Sequence, residues 1–197
     1  MTDLTSKTAI VIGAAGDHNM GQVIARALAA AGAKTIVSGR KRDPLEALAS
    51  EIGGEAVTCD LTSRADVDAL FDGVAARHGK VDIAINATGW GLMKPWADVT
   101  DEDLAAMVAL QFTGVHHMLN ACLRTMTGGG SVIQISSATT QCLIYDHAAY
   151  IGTKAGSEAL IRCFANQYGP LGIRANVVSP GLTATPMAAA AVATPGL

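Results

Sequence analysis

Tyr150 and Lys154 stand four residues apart in AAYIGTKAG, thirteen residues after Ser137 of VIQISSAT. On a helix that spacing is close to one turn, so the phenol and the ammonium project from the same face. An ammonium held beside a phenol favours the phenolate, and the spacing predicts a lowering of a tyrosine pKa that is otherwise near ~10. Such a phenol exchanges a proton with a hydroxyl or carbonyl near neutral pH, which is the proton half of a hydride transfer. A Tyr-x-x-x-Lys pair alone is most often a half-buried aromatic beside a solvated lysine. The rest of the chain gives it weight.

In VIGAAGDHNMGQVIARAL, glycines 13, 16 and 21 lie between a strand pattern and a helix pattern. Glycine permits a sharp turn and close backbone approach, and a helix N-terminus offers free amides and a positive dipole end to a pyrophosphate. The spacing is not G-x-G-x-x-G. After the second strand pattern comes SGRKRD, where Gly39 and Arg40 replace the acidic residue that would accept from an adenosine ribose diol. Arg40 supplies a guanidinium suited to a 2′-phosphate, with Lys41 or Arg42 adding a less specific field and Asp17 and Asp43 diluting it. NADP(H) is therefore favoured, with NAD(H) as the alternative.

The elements that must position these groups alternate along the chain. TAIVI, KTIVS, EAVTC, DIAIN, SVIQIS and RANVVS are short apolar runs. The helical patterns between them are MGQVIARALAAAG, PLEALASEI, Ser63 to His78, about Asp101 to Met126 and about Ala149 to Tyr168. Runs without polar alternation predict strands buried on both faces, as crossover helices make them in a parallel sheet. The fold class is α/β: one doubly wound parallel sheet flanked by helices. Pro44 is expected to begin a helix, Gly32 to end one, and Thr62 or Ser63 to cap another.

Composition bounds the function. The 197 residues, 50% hydrophobic and 16% charged, suit one domain with a sizeable core and exclude disorder. Mean hydropathy is +0.31, yet no apolar run approaches the ~18 residues of a span, and the first residues lack the basic leader of a secretory signal. A cytoplasmic protein with no membrane partner is expected. A net charge of −3 gives no general attraction to nucleic acid. Cys59, Cys122, Cys142 and Cys163 have neither CxxC spacing nor a dense framework and read as reduced thiols. His116 and His117 are neighbours on a helix pattern and do not share a face, so no metal site is expected.

Taken together, these residues resemble the short-chain dehydrogenase/reductase family from about Thr8 to Met187. The resemblance implies a Rossmann-like fold and a single dinucleotide-binding catalytic domain over 1–197. It aligns the family's glycine turn with Gly13, Gly16, Met20 and Gly21, and its adenine-contacting Asp with Asp60, followed by Leu61. The NNAG segment becomes Asn86, Ala87, Thr88 and Gly89, and the segment closing on the nicotinamide amide supplies Pro180, Gly181, Thr183 and Thr185. Ser137 would donate to the substrate oxygen, Tyr150 would exchange its proton, and Lys154 would hold the nicotinamide ribose and favour the tyrosinate. The expected activity is hydride transfer between NADP(H) and a carbonyl or secondary alcohol, with ketone reduction as the favoured direction. The expected partners are a small carbonyl or alcohol substrate and further copies of the chain, as a homodimer or homotetramer.

Three departures qualify that likeness. Gln111 in QFTGV stands where the family commonly has an asparagine that helps hold a water of a proton relay, and Thr88 stands where it normally has alanine. Family members also continue beyond the Pro-Gly segment with substrate-covering elements, so the C-terminal lid is expected to be missing from a chain that reaches Leu197. Trp90, Met93, Trp96, Cys142, Leu143 and Tyr145 are candidates to line an apolar pocket, or else to pack as loop residues, and His147 to make a polar contact there. The competing functions are an enoyl reductase, which in a related branch spaces its tyrosine and lysine differently, and a catalytically weak NADP(H)-binding or interaction protein.

Overall fold

A computed structural model describes residues 3–185. The apolar runs become β1 (Thr8–Ile12), β2 (Lys34–Gly39), β3 (Glu55–Thr58), β4 (Ile83–Asn86), β5 (Gly130–Ile135) and β6 (Ile173–Val178). They form one six-stranded sheet in the order β3-β2-β1-β4-β5-β6, with every pairing parallel. The order reverses between β1 and β4, which opens the crevice outside the strand carboxyl ends where ligands of doubly wound sheets bind. Met187 and the alanine-rich MAAAAVATPGL lie outside the described residues.

The helices are α1 (Met20–Ala30), α2 (Arg42–Ile52), α3 (Arg64–His78), α4 (Asp101–Val108), α5 (Gly114–Thr125) and α6 (Ala148–Tyr168). Local chemistry sets several ends. Ser63 caps α3 by accepting from the Asp66 amide, and Thr100 forms a capping box with Asp103 at an α4 N-terminus that also carries Asp101 and Glu102. Gly32, with φ +93, follows the end of α1 as expected. Pro44 does not begin α2, which starts two residues earlier at Arg42. The pattern from Asp101 to Met126 is not one regular helix either: a π-helical turn, Ala109–Thr113, separates α4 from α5. Such a turn admits an extra residue and commonly marks a functional site.

One hydrophobic cluster joins the sheet to α3, α5 and α6 through Phe71, Val74, Val115, Met118, Ile161 and Phe164; a second joins β1 and β2 to α1 and α2 through Val11, Val37, Leu45 and Leu48. Burial on both faces, expected for every strand, holds for β1 and nearly all of β2 but fails at the edges. β3 is only half-buried, and β6 alternates, with Ile173 and Ala175 inward and Arg174 and Asn176 exposed. An edge strand has a neighbour on one side only, and polar residues there suit solvent.

The turn from β1 into α1 is held by close backbone packing. Gly13 has φ +96, and a Cβ there would come within 2.7 Å of the Ala87 and Thr88 backbone; one on Gly21 would come within 2.5 Å of the Gly13 carbonyl oxygen. Asn19 fastens the turn by accepting from the Gln22 amide at 3.0 Å and donating to the Gly13 carbonyl at 2.8 Å. Gly21→Ala is expected to cost about 1–3 kcal/mol, because backbone cannot yield as a side chain can. Trp96→Ala, at a site 82% exposed, should fall within about 0.5 kcal/mol of the parent. Urea midpoints of the two variants measure the contrast.

Candidate active site

α6 places Tyr150 and Lys154 one turn apart, and Lys154 Nζ lies 5.9 Å from the centre of the Tyr150 ring. Both residues are buried. The lysine reaches into the sheet: Nζ donates to the Ile135 carbonyl at 2.9 Å and to the Thr88 carbonyl at 3.3 Å. Ile135 closes β5 and Thr88 follows β4, so the ammonium bridges the carboxyl ends of two neighbouring strands. An ammonium has three hydrogens, and these contacts use two. Burial pushes the Lys154 pKa down to about 8, against the opposing pull of the Glu158 carboxylate.

The phenol departs from the reading of its spacing. Burial raises the Tyr150 pKa above its ordinary value, and the Ser137 hydroxyl opposes the rise. The lowering expected from Lys154 is therefore corrected: its ammonium is engaged by two backbone carbonyls, while desolvation dominates at the phenol. Ser137 is near enough to act on Tyr150, although the two do not form a well-aligned hydrogen bond. Ser137 Oγ instead accepts from the Thr139 amide at 3.2 Å and from the Thr139 hydroxyl at 2.9 Å. With both lone pairs occupied, its own hydrogen remains to be donated. His147 packs edge-on against the Tyr150 ring at 4.8 Å, and burial lowers its pKa, which favours the neutral imidazole.

Gln111 sits in the π-helical turn and is buried. Its Nε2 donates to the Trp90 carbonyl at 3.2 Å and contacts Met107 Sδ at 2.9 Å, whereas Oε1 is buried with no partner among the described residues. A buried acceptor of this kind is a place for an ordered water. The hydroxyl of Thr88 is satisfied locally by donating to Asn86 Oδ1 at 2.7 Å, and Asn86 is in turn fixed by Gln134, which accepts from it at 2.9 Å.

At the nucleotide end, Gly13, Gly16, Met20 and Gly21 do surround the α1 N-terminus. Arg40 is exposed just beyond β2 and forms no ion pair among the described residues, while neighbouring Arg42 is drawn 3.2 Å from Glu46. Asp60 follows β3 and uses Oδ1 to accept from the Thr62 amide and hydroxyl at 2.9 and 2.8 Å, with Leu61 buried beside it. Ala87 donates to the Ile12 carbonyl at 2.8 Å, tying the Asn86–Gly89 segment to the end of β1. The Pro180 carbonyl accepts from Ala138 at 2.9 Å, which brings the Pro180–Gly181 segment to the Ser137 turn. Thr183 bonds back to the Gly181 carbonyl at 3.1 Å, and Thr185 is the last described residue.

Some expected lining residues are not enclosed. Trp96, Leu143 and Tyr145 are 82%, 78% and 92% exposed, so in the described residues they form an open rim instead of a pocket wall. Sequence reading missed Asn19, Thr139 and Gln134, whose signals are faint: a polar residue ahead of a helix, a hydroxyl two residues beyond a serine, and an amide inside a strand. Among the described residues no helix is long and apolar enough to cross a membrane.

The comparisons agree with this architecture. The family described as Enoyl-(Acyl carrier protein) reductase matches residues 13–196. D-threitol dehydrogenase of Mycolicibacterium smegmatis is 31% identical over 189 residues, 92% of this chain and 72% of that protein. A (5R,7aS)-5-hydroxy-7a-methyl-1-oxo-2,3,5,6,7,7a-hexahydro-1H-indene-carboxyl-CoA reductase of Mycobacterium tuberculosis is 34% identical over 188 residues, 91% and 71% of the two chains. A short chain dehydrogenase from Mycobacterium smegmatis superposes with a TM-score of 0.87 at 30% identity, over 98% of this chain and 87% of that one. A short-chain type dehydrogenase/reductase from Mycobacterium ulcerans superposes at 0.90 and 28%, over 96% and 72%. With this sheet, this crevice and these relatives, the chain belongs to the short-chain dehydrogenase/reductase family of oxidoreductases, which work with nicotinamide cofactors.

Proposed function

We propose that the chain is an NADP(H)-dependent reductase that converts a ketone to a secondary alcohol, reversibly. One observation carries the reading: a buried lysine bridges the ends of β4 and β5 beneath a buried tyrosine, beside a serine whose hydroxyl hydrogen is free to be donated. The residues present fit a dinucleotide. Close backbone packing at Gly13 and Gly21 sets the turn that leads into the α1 N-terminus, and the positive end of that helix suits a pyrophosphate. Gly13, Gly16, Met20, Gly21, Arg40, Asp60, Leu61, Asn86, Ala87, Gly89, Pro180, Gly181, Thr183 and Thr185 are proposed to hold it, together with Tyr150 and Lys154. The bound dinucleotide supplies the hydride.

The protein's own groups handle the oxygen. Ser137 donates to the substrate carbonyl, so negative charge arriving on that oxygen meets a preorganised donor. Tyr150 then gives its proton to the oxygen, completing the alcohol. The raised phenol pKa serves this direction, since the acid form is the one present near neutral pH. Lys154 has one hydrogen left for a ribose hydroxyl, and Gln111 offers Oε1 to a water that returns protons to the site.

Enoyl reduction is the second reading, favoured by the description of the matched family. The Tyr150-x-x-x-Lys154 spacing supports carbonyl chemistry instead. A panel pairing ketones with α,β-unsaturated thioesters separates the two, and NADPH binding without turnover of either would indicate a binding protein. The same reading includes a small-molecule substrate, a cytoplasmic location and a homodimer or homotetramer. Association is supported by Leu104, Val108 and Phe112, which α4 and the π-helical turn leave 37–45% exposed.

Tyr150→Phe is expected to retain NADPH binding, read by fluorescence titration, while ketone turnover falls by about 10²–10⁴-fold. Unchanged turnover would remove the proposed proton donor. Arg40→Ala should lower kcat/KM for NADPH by about tenfold or more, the scale of a lost charge-assisted hydrogen bond, with little change for NADH. The pH profile has a definite sign. Lys154 loses its proton as pH rises through about 8, so NADPH affinity should be full below that pH and decline above it. Lys154→Met should bind weakly without that decline.

A further inference from the structure

Glu158 lies one turn beyond Lys154 on α6 and is 7% exposed. A carboxylate in such a place needs compensation. Its Oε1 accepts from the Ser136 hydroxyl at 2.6 Å, from the Thr140 hydroxyl at 3.0 Å and from the Ser179 hydroxyl at 3.4 Å. Its Oε2 is 3.8 Å from Arg162, whose side chain is 69% exposed and well screened. The three hydroxyls come from two segments. Ser136 and Thr140 flank Ser137 in the turn after β5, and Ser179 follows β6 immediately before Pro180 and Gly181. Those segments also touch each other, through Ser136 donating to the Val178 carbonyl at 2.8 Å and Ala138 to the Pro180 carbonyl at 2.9 Å.

We propose that Glu158 is a positioning residue whose carboxylate locks the Ser137 turn and the Ser179–Gly181 segment onto α6 in register with Tyr150, and balances the charge of Lys154. The inference rests on the reductase reading for its consequence in turnover, but the lock itself is a property of the fold. A carboxylate only accepts hydrogen bonds, so it orients the Ser136 and Ser179 hydroxyls as donors toward one point, while the single Thr140 hydroxyl hydrogen is shared between Glu158 and the Ser137 carbonyl, each at 3.0 Å. The turn bearing the substrate-oxygen donor and the helix bearing the proton donor thereby become one rigid frame, which orientation-dependent catalysis requires. Tyr150 and Glu158 face Lys154 from α6, and the uncharged Thr88 and Ile135 carbonyls face it from the strand ends. Among the described residues, Glu158 is the one charged group acting on that ammonium.

Two readouts test the proposal on the whole chain. In Glu158→Ala, hydrogen exchange of the Ser136, Ala138 and Thr140 amides, which donate to the Val178, Pro180 and Ser137 carbonyls and so report on both segments, should accelerate at least tenfold, while β1 amides keep the parent rates. Should that variant fail to fold, the Thr140→Ala/Ser179→Ala double variant should loosen the same two segments. In Glu158→Gln, which keeps an acceptor but loses the charge, NADPH affinity at pH 6 should stay within about threefold of the parent. Ketone kcat should fall about tenfold, and the alkaline limb of NADPH affinity should move to lower pH because Lys154 has lost its neighbouring negative charge. Glu158→Asp should restore the limb but not the full kcat, since the shortened side chain draws the oxygen away from the hydroxyls. Unaltered loop exchange in the alanine or double variant, or an unshifted limb in Glu158→Gln, overturns the inference. A parent protein without ketone turnover would defeat the reductase reading, and the exchange experiment would still decide whether the carboxylate forms the lock.

Discussion

The site depends on a buried ammonium. Lys154 is nearly excluded from water, and its charge is tolerated because the Ile135 and Thr88 carbonyls accept from it and Glu158 stands one turn away. A charge so placed cannot drift as a surface lysine would. It therefore fixes where α6 sits over the ends of β4 and β5, and with the helix the Tyr150 phenol. The packing that makes this possible is the cluster between the sheet, α5 and α6, in which Met118, Ile161 and Phe164 are buried.

The same desolvation shapes the chemistry. Water removed from Tyr150 keeps the phenol protonated, and water removed from His147 favours its neutral form beside that ring. On the proposed reading, the crevice presents two neutral donors, Ser137 and Tyr150, to a substrate oxygen, with the Lys154 cation beside them. Ketone reduction needs that distribution: donors where negative charge develops, and a cation whose remaining hydrogen can orient a bound ribose. Gln111 widens the account, since its unpartnered oxygen in the π-helical turn marks a place where a water can join the network.

Much of this was legible in the residues. All six strands appear where apolar runs stand, β1 matching TAIVI and β6 lying one residue from RANVVS at each end, because the core-facing side chains that hold a sheet together are themselves the pattern. The serine, tyrosine and lysine converge because order and spacing along a doubly wound sheet leave them one crevice to share. What the pattern did not reveal depends on contacts distant in sequence. The direction of the Tyr150 pKa follows from burial of the phenol, and where Lys154 Nζ points is set by carbonyls 19 and 66 residues away. The π-helical turn at Ala109–Thr113 leaves the apolar spacing nearly intact and so escapes a periodicity argument, and Pro44 misled because proline is also accommodated a residue or two inside the first turn. The partial burial of β3 and β6 reflects their place at the sheet edges, which composition does not encode.

The central claim is that the Tyr150 phenol, above the buried Lys154, meets the reactive ring of a bound nicotinamide dinucleotide. A crystal structure of the full chain with NADPH and a ketone tests it most directly. The account predicts the ketone oxygen within hydrogen-bond distance of both the Tyr150 and Ser137 hydroxyls, roughly 2.6–3.2 Å, with the nicotinamide ring stacked against the carbonyl carbon and Lys154 touching the ribose. A well-ordered complex with the nicotinamide ring remote from Tyr150 would contradict it.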